Sequence, residues 1–232
     1  MWLIPIRYSM KQFEGHLVYT LTTTGVDPLT RDLAPLYEAE LARWEILQKK
    51  ERESTRALIK AEAEVGLRDV LLDGVTMPFG GQLFVMANRD TESVFFKTFL
   101  PTAAYRFVRR DLRTQSEHTR DVIVPGLAKL DAQHPLRTQY EVALAEAAQA
   151  ALVSLDQRAK MRAARTLVKI EVDEWKEGVN RLRTTTYAEL LRRSAEHNRT
   201  RSWARSFFPA AHHASSPEEQ ETESPAPTQA LA

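Results

Sequence analysis

From Leu136 to Phe208 the chain contains no proline and a single glycine, Gly178. Such a stretch, rich in Ala, Leu, Glu and Arg, has no local breaker and is made of residues that lose little rotamer freedom in a helix. It can fold into little other than helix. With only 8 glycines in 232 residues, the whole chain reads as all-α. A long helix is expected from about Pro135 to Arg183, where Val168, Val172, Trp175, Val179 and Leu182 follow a 4-3-4-3 rhythm, the seam of coiled-coil-like packing. Another is expected from about Pro28 to Asp73, with Asp27 as N-cap, Pro28 in the first turn, Pro35 kinking or delaying the start, and Gly74 as the stop. Leu33, Tyr37, Leu41, Trp44 and Leu47 share one face of it, and that face needs a partner. The polar run "QKKERESTR" is either solvated continuous helix or a joint between two helices. At about 1.5 Å per residue each long helix would measure roughly 70 Å.

Between the long segments "GVTMPFGGQ" reads as a loop, because proline and paired glycines punctuate it. Shorter helices are expected over "TESVFFKTFLP" and the following stretch, ending or bending at Pro101 and Pro125. The β-branched "LVYTLTTT" leaves room for a strand at 17–24, as does the start of the chain at 1–8.

One phrase occurs twice. Shifted by 108, Phe95, Lys97, Thr98, Phe99, Leu100, Pro101 and Ala103 meet Trp203, Arg205, Ser206, Phe207, Phe208, Pro209 and Ala211. Asn88-Arg89 returns as Asn198-Arg199, "RALIKAEAE" from Arg56 as "RTLVKIEVD" from Arg165, and Asp27-Pro28-Leu29 as His134-Pro135-Leu136. Four matches in one order at nearly one shift indicate an internal duplication. The expected architecture is a bundle of two tandem helical-hairpin repeats, 1–103 and 104–211, each closed by a short helix with aromatic anchors. Those anchors are Phe95, Phe99 and Pro101 in the first copy and Trp203, Phe207 and Pro209 in the second. Aligned at a shift of 109, Gly66 stands where the second copy has Trp175, which suggests Gly66 as the hole for that indole. The Pro-, Ser- and Glu-rich tail, residues 212–232, is expected to be disordered.

Chemistry-bearing patterns are sparse. There is no cysteine, so thiol catalysis and disulfides are excluded. No glutamate stands three residues before any of the six histidines, so the Glu-x-x-His pairing of di-iron bundles is absent, and the adjacent His212 and His213 point apart on a helix. Neither a phosphate loop nor a Gly-x-Ser-x-Gly elbow occurs. Asp69 and Asp73, one turn apart, fit a solvated face as well as a shared proton or a cation. No catalytic, cofactor or metal residues are assigned. The start lacks a basic region and cleavage site, and no apolar run approaches the ~18 to 20 residues that span a bilayer, so a cytoplasmic protein is expected.

The formal charge is +1, so any basic site is local. Arg158, Arg162, Arg165 and Lys169 are spaced four, three and four apart, a stripe that suits a phosphate backbone. Glu53 interrupts its first-copy counterpart, Lys49, Glu53, Arg56 and Lys60. Further on, Arg192, Arg193, Arg199, Arg201 and Arg205 lie near Tyr187 and Trp203. Arginines on the outside of a bundle also pair with neighbouring acids such as Glu171 and Glu177. The expected function is therefore a non-enzymatic scaffold or adaptor for protein partners, a homo-oligomer or helical partner among them. The alternative is an RNA- or DNA-binding accessory protein that uses the arginine-rich surface.

Overall fold

The computed structural model describes residues 3–209, and among these there is no strand. Eight α-helices follow in order: α1 (Met10–Val26), α2 (Ala34–Met86), α3 (Val94–Phe99), α4 (Ala104–Phe107), α5 (Leu112–His118), α6 (Val124–Ala128), α7 (Pro135–Glu196) and α8 (Arg201–Ser206). A 3-10 turn, Arg31–Leu33, precedes α2, and a π-turn, Thr119–Ile123, joins α5 to α6. That π-turn sits just before Pro125, whose missing N–H forces the ladder to shift.

Two compact units result, one made of residues up to Lys50 with those from Lys169 on, the other of Glu51–Val168. This division differs from the repeat boundary at 103, because both long helices run through both units. In the first unit Asp32 pairs with Arg193 and Lys50 with Glu171; in the second Glu62 pairs with Arg162 and Phe79 packs on Tyr140. Rising numbers on α2 meet falling numbers on α7, so within each unit the two helices are antiparallel. In each unit the two long helices pack on one another, and in the first unit α1 also packs on α2.

Helix α1 closes the core of the first unit. Phe13 and Leu17 pack with Tyr37, Trp44, Leu47, Val172, Trp175 and Val179, with Leu41 and Leu182 beside them, so most residues singled out by periodicity face this core; Leu33 belongs to a neighbouring cluster and Val168 to neither. Trp44 Nε1 donates to the Met10 carbonyl at 3.1 Å. A capping box at Ser9 and Gln12 starts α1. Beside this core Leu33, Leu190, Ala204, Phe207 and Phe208 form a second cluster. In the second unit the core combines Phe79 and Leu83 of α2, Phe96 and Phe99 of α3, Phe107, Ile123, Leu127, and Leu136, Tyr140 and Leu144 of α7.

Four sequence expectations are corrected. The segment "GVTMPFGGQ" is helical, and α2 passes through Gly74 and Pro78 to Met86. Helix persists there because tertiary packing requires it: Gly80 lets α4 approach so closely that any Cβ would collide with that of Ala104. Residues 17–24 belong to α1 rather than to a strand. Helix α2 starts at Ala34, not Pro28, with Pro35 in its first turn, while Asp27 accepts from the Leu29 amide at 2.9 Å within the preceding turn. Finally, Trp175 lies against Phe13 in the first unit, centroids 5.8 Å apart, whereas Gly66 belongs to the second unit and has open space above it. Gly66 is not the hole for that indole. The segment "QKKERESTR" is continuous helix, and the tail expected to be disordered lies outside the described residues.

The two related phrases share a helix end, a cap and a ring pair, although Arg89 is left-handed at φ 61 and Arg199 is not. Each long helix ends on an asparagine in the left-handed region, Asn88 at φ 55 and Asn198 at φ 51. The next amide, of Arg89 or Arg199, bonds back to the Phe84 or Ser194 carbonyl, each at 2.8 Å. This is the Schellman closure, which gives the repeated Asn-Arg pair a reason. Ser93 and Thr200 then cap α3 and α8 by accepting from the amides of Phe96 and Trp203. Edge-to-face pairs follow, Phe95 with Phe99 at 5.7 Å and Trp203 with Phe207 at 5.0 Å. Pro101 is exposed and Pro209 half-buried, each just past its helix.

Phe99 and Phe207 are 2% and 3% exposed, so Phe99→Ala and Phe207→Ala should each lower stability by about 3 to 5 kcal/mol in urea unfolding. Asn198→Gly should be near neutral, whereas Asn198→Val should cost on the order of 1 to 2 kcal/mol, because a β-branched side chain resists the left-handed conformation. Equal stabilities for the two Asn198 variants would contradict the cap.

Candidate partner and nucleic-acid surfaces

The arginines near the end of α7 are largely engaged within the chain. Arg193 forms a two-pronged pair with Asp32 at 2.6 and 2.7 Å, bonds Glu189 at 2.8 Å, and donates to the Leu29 carbonyl. It locks the turn before α2 onto α7. Arg192 bonds both Glu189 and Glu196. Hydrogen bonds from Arg192 and then Arg193 hold the Glu189 carboxyl at about 2, and Arg193 lowers that of Asp32. Arg199, Arg201 and Arg205 are exposed. The guanidinium groups of Arg205 and Arg201 hold the Tyr187 hydroxyl below its ordinary range. Trp203 is half-buried and its Nε1 donates to Asp27 at 2.9 Å, so its ring edge is committed to the fold.

The stripe on α7 divides between the units: Arg158, Arg162 and Arg165 in the second, Lys169 in the first. Arg165 and Lys169 are exposed. Arg158 and Arg162 border a hollow of about 530 Å³ floored by Val65, Leu112 and Leu155, with Asp69, Asp111 and Arg113 also on its wall. Three of these charges are tied down: Arg162 to Glu62 at 3.2 Å, Arg113 to Asp156 at 2.9 Å, and Asp111 as the cap of α5 accepting from Thr114. Burial, then the Asp73 charge, raises the Asp69 carboxyl, while Asp73 accepts from Gln115 Nε2 at 2.8 Å. Carboxylates set beside the arginines make this surface mixed in sign. A phosphate backbone laid along it would meet these carboxylates as well as the arginines.

A polar interior in the first unit was missed by sequence reading. Arg183 is 1% exposed, 4.8 Å above the Phe208 ring, with Tyr37 and Thr186 also buried. Lys176 reaches the Ile6 carbonyl at 3.1 Å, and Asn180 brackets Ile4, accepting from its N–H at 2.9 Å and donating to its carbonyl at 2.8 Å. Lys176, Asn180 and Arg183 follow four and three apart and adjoin the buried Val172, Trp175 and Val179, a signal present in the sequence. Burial lowers the Arg183 guanidinium to about 10. Burial, then the Arg183 charge, lowers His16 to about 4.

Other histidines have local structural roles. His118 Nε2 lies 2.8 Å from the Phe99 carbonyl, and His134 Nδ1 accepts from the Leu136 amide at the start of α7. Asp131, three residues before His134, accepts from the Gln133 amide. Among the described residues no cluster of three or more His, Asp or Glu is placed to hold a metal, and no helix is long and apolar enough to cross a membrane. His212 and His213 lie outside the described residues. No protein-family model, no curated protein and no solved structure matches the chain.

His16 favours its neutral form in the fold, with a folded value of about 4 against an ordinary 6.5. The unfolded chain therefore takes up this proton first as pH falls, and the stability His16 contributes is present above pH 6.5 and lost between 6.5 and about 4. The fall in Tm from pH 7 to pH 5 should be smaller in His16→Gln than in the parent; equal falls would contradict the assignment.

Proposed function

We propose that the chain is a non-enzymatic, cytoplasmic helical scaffold or adaptor that binds protein partners through the outer faces of its long helices. The observation that carries this reading is the exposure of large apolar residues along both helices. Ile46, Ile59, Leu67 and Val70 on α2, and Val142, Val153 and Leu167 on α7, are all at least 57% exposed. Scattered exposed apolar residues are ordinary on any surface; repeated large ones on helix faces are the pattern of helix-mediated binding. The shared cap, closure and ring geometry of the two phrases supports an internal duplication, which supplies two long helices of related sequence. Nucleic-acid binding is disfavoured because Arg192 and Arg193 are engaged internally and Arg158 and Arg162 have acids beside them.

Affinity purification from the native host, with and without nuclease, tests the reading. Protein partners should survive nuclease and be lost with the exposed pair Val153→Glu and Leu167→Glu, while the purified chain binds random RNA no better than roughly 10⁻⁶ M at physiological salt, the ordinary non-specific range. Nuclease-sensitive recovery, or submicromolar RNA binding that collapses on reversing Arg158, Arg162 and Arg165, would overturn it.

A further inference from the structure

The last third of α2 presents an exposed surface without charge. From Gly74 to Asn88 there is no charged residue, yet Gly74, Met77, Pro78, Gly81 and Val85 are all exposed. With Leu67 and Val70 just before them, they form one apolar stripe, since 67, 70, 74, 77 and 81 recur three and four apart. The whole stripe lies in the second compact unit.

Packing within the chain does not explain its glycines. Gly80 and Gly126 admit close neighbours, Ala104 and the Phe99 ring, but a Cβ on Gly74 or Gly81 would meet nothing within 4 Å. Glycine inside a helix is unfavourable relative to alanine, and Pro78 additionally removes the N–H that the Gly74 carbonyl would accept. Close approach by a second helix would account for both glycines and for the large residues between them.

We propose that this stripe is a self-association face, on which α2 of a second copy of the chain packs antiparallel about a two-fold axis. The proposal rests on the outer-face reading above and names one partner for it. A two-fold axis brings a face against itself, so charges on it would meet like charges nearby, and a face with no charge escapes that cost. In the antiparallel register where residue numbers add to 151, Met77 lies level with the second copy's Gly74 and Val70 with its Gly81, so each glycine receives a large side chain. Leu67 then lies level with Phe84. The chain's own residues 210–232 fit the face poorly, with four glutamates and Leu231 as their one large apolar residue.

The full-length protein should sediment as a dimer that dissociates on dilution. Val70→Glu and Met77→Glu, at positions that face outward, should leave the circular dichroism melt near that of the parent and weaken dimerisation about ten-fold or more. The absence of cysteine permits a second readout independent of those variants. Gly74→Cys mixed with Met77→Cys should oxidise rapidly to a crosslinked heterodimer, whereas Gly81→Cys alone should not crosslink to itself, being level with Val70 of the other copy. A protein that stays monomeric at all accessible concentrations, or one whose dimer shows no preference for the 74–77 crosslink, would overturn the proposal. Partner loss in the α7 variants Val153→Glu and Leu167→Glu would still report separately on the scaffold reading.

Discussion

The antiparallel contact between α2 and α7 is what the other elements depend on. Helices of 53 and 62 residues cannot be stable on propensity alone; each needs an apolar face buried against another element. In the first unit that burial joins Tyr37, Trp44 and Leu47 to Val172, Trp175 and Val179, and in the second Leu72 and Phe79 to Ala148, Ala151 and Tyr140. Two helices enclose little volume, so each unit adds a covering piece: α1 with Phe13 and Leu17 in one, the short helices α3 to α6 in the other. The Schellman closures at Asn88 and Asn198 turn the chain at the end of each long helix and send α3 and α8 back onto it, where Phe99 and Phe207 are buried.

Charge has two different uses in this fold. On the surface, pairs such as Lys50 with Glu171 and Arg181 with Glu177 are exposed on both sides and individually contribute little. Where backbone has to be fixed, the groups are more buried: Arg193 holds the turn before α2, and Lys176 and Asn180 hold the segment before α1. An arginine-rich sequence thus leaves a surface of mixed sign.

How much was legible in the sequence follows from which forces are local. The inward residues of both long helices in the first unit, such as Tyr37, Trp44, Val172 and Trp175, were readable, because a 3.6-residue period depends only on which side is buried, whereas those of the second unit, such as Phe79 and Tyr140, were not singled out. The identity of each partner was not: an apolar stripe states that a face needs cover, without saying whether a hairpin arm or the other long helix supplies it. The "GVTMPFGGQ" segment misled because proline and glycine are local breakers, whereas helix is retained there by packing around Phe79, Gly80 and Leu83. Arg183 and Lys176 were read past because cations are usually solvated. Arg192 and Arg193 were counted as surface although Glu189 and Glu196, three and four residues away, already offered partners.

The continuity of α2 through Pro78 and the paired glycines carries the pairing in the second unit and, with it, the exposed faces to which binding is assigned. Amide hydrogen exchange resolved by residue tests it most directly. Helical carbon shifts through residues 74–86 and slow exchange at Phe79, Gly80 and Leu83, comparable with Leu144 and Ala148 on α7, are predicted. Coil shifts with fast exchange across Gly74–Gln82, as a loop between two helices would give, would contradict the account.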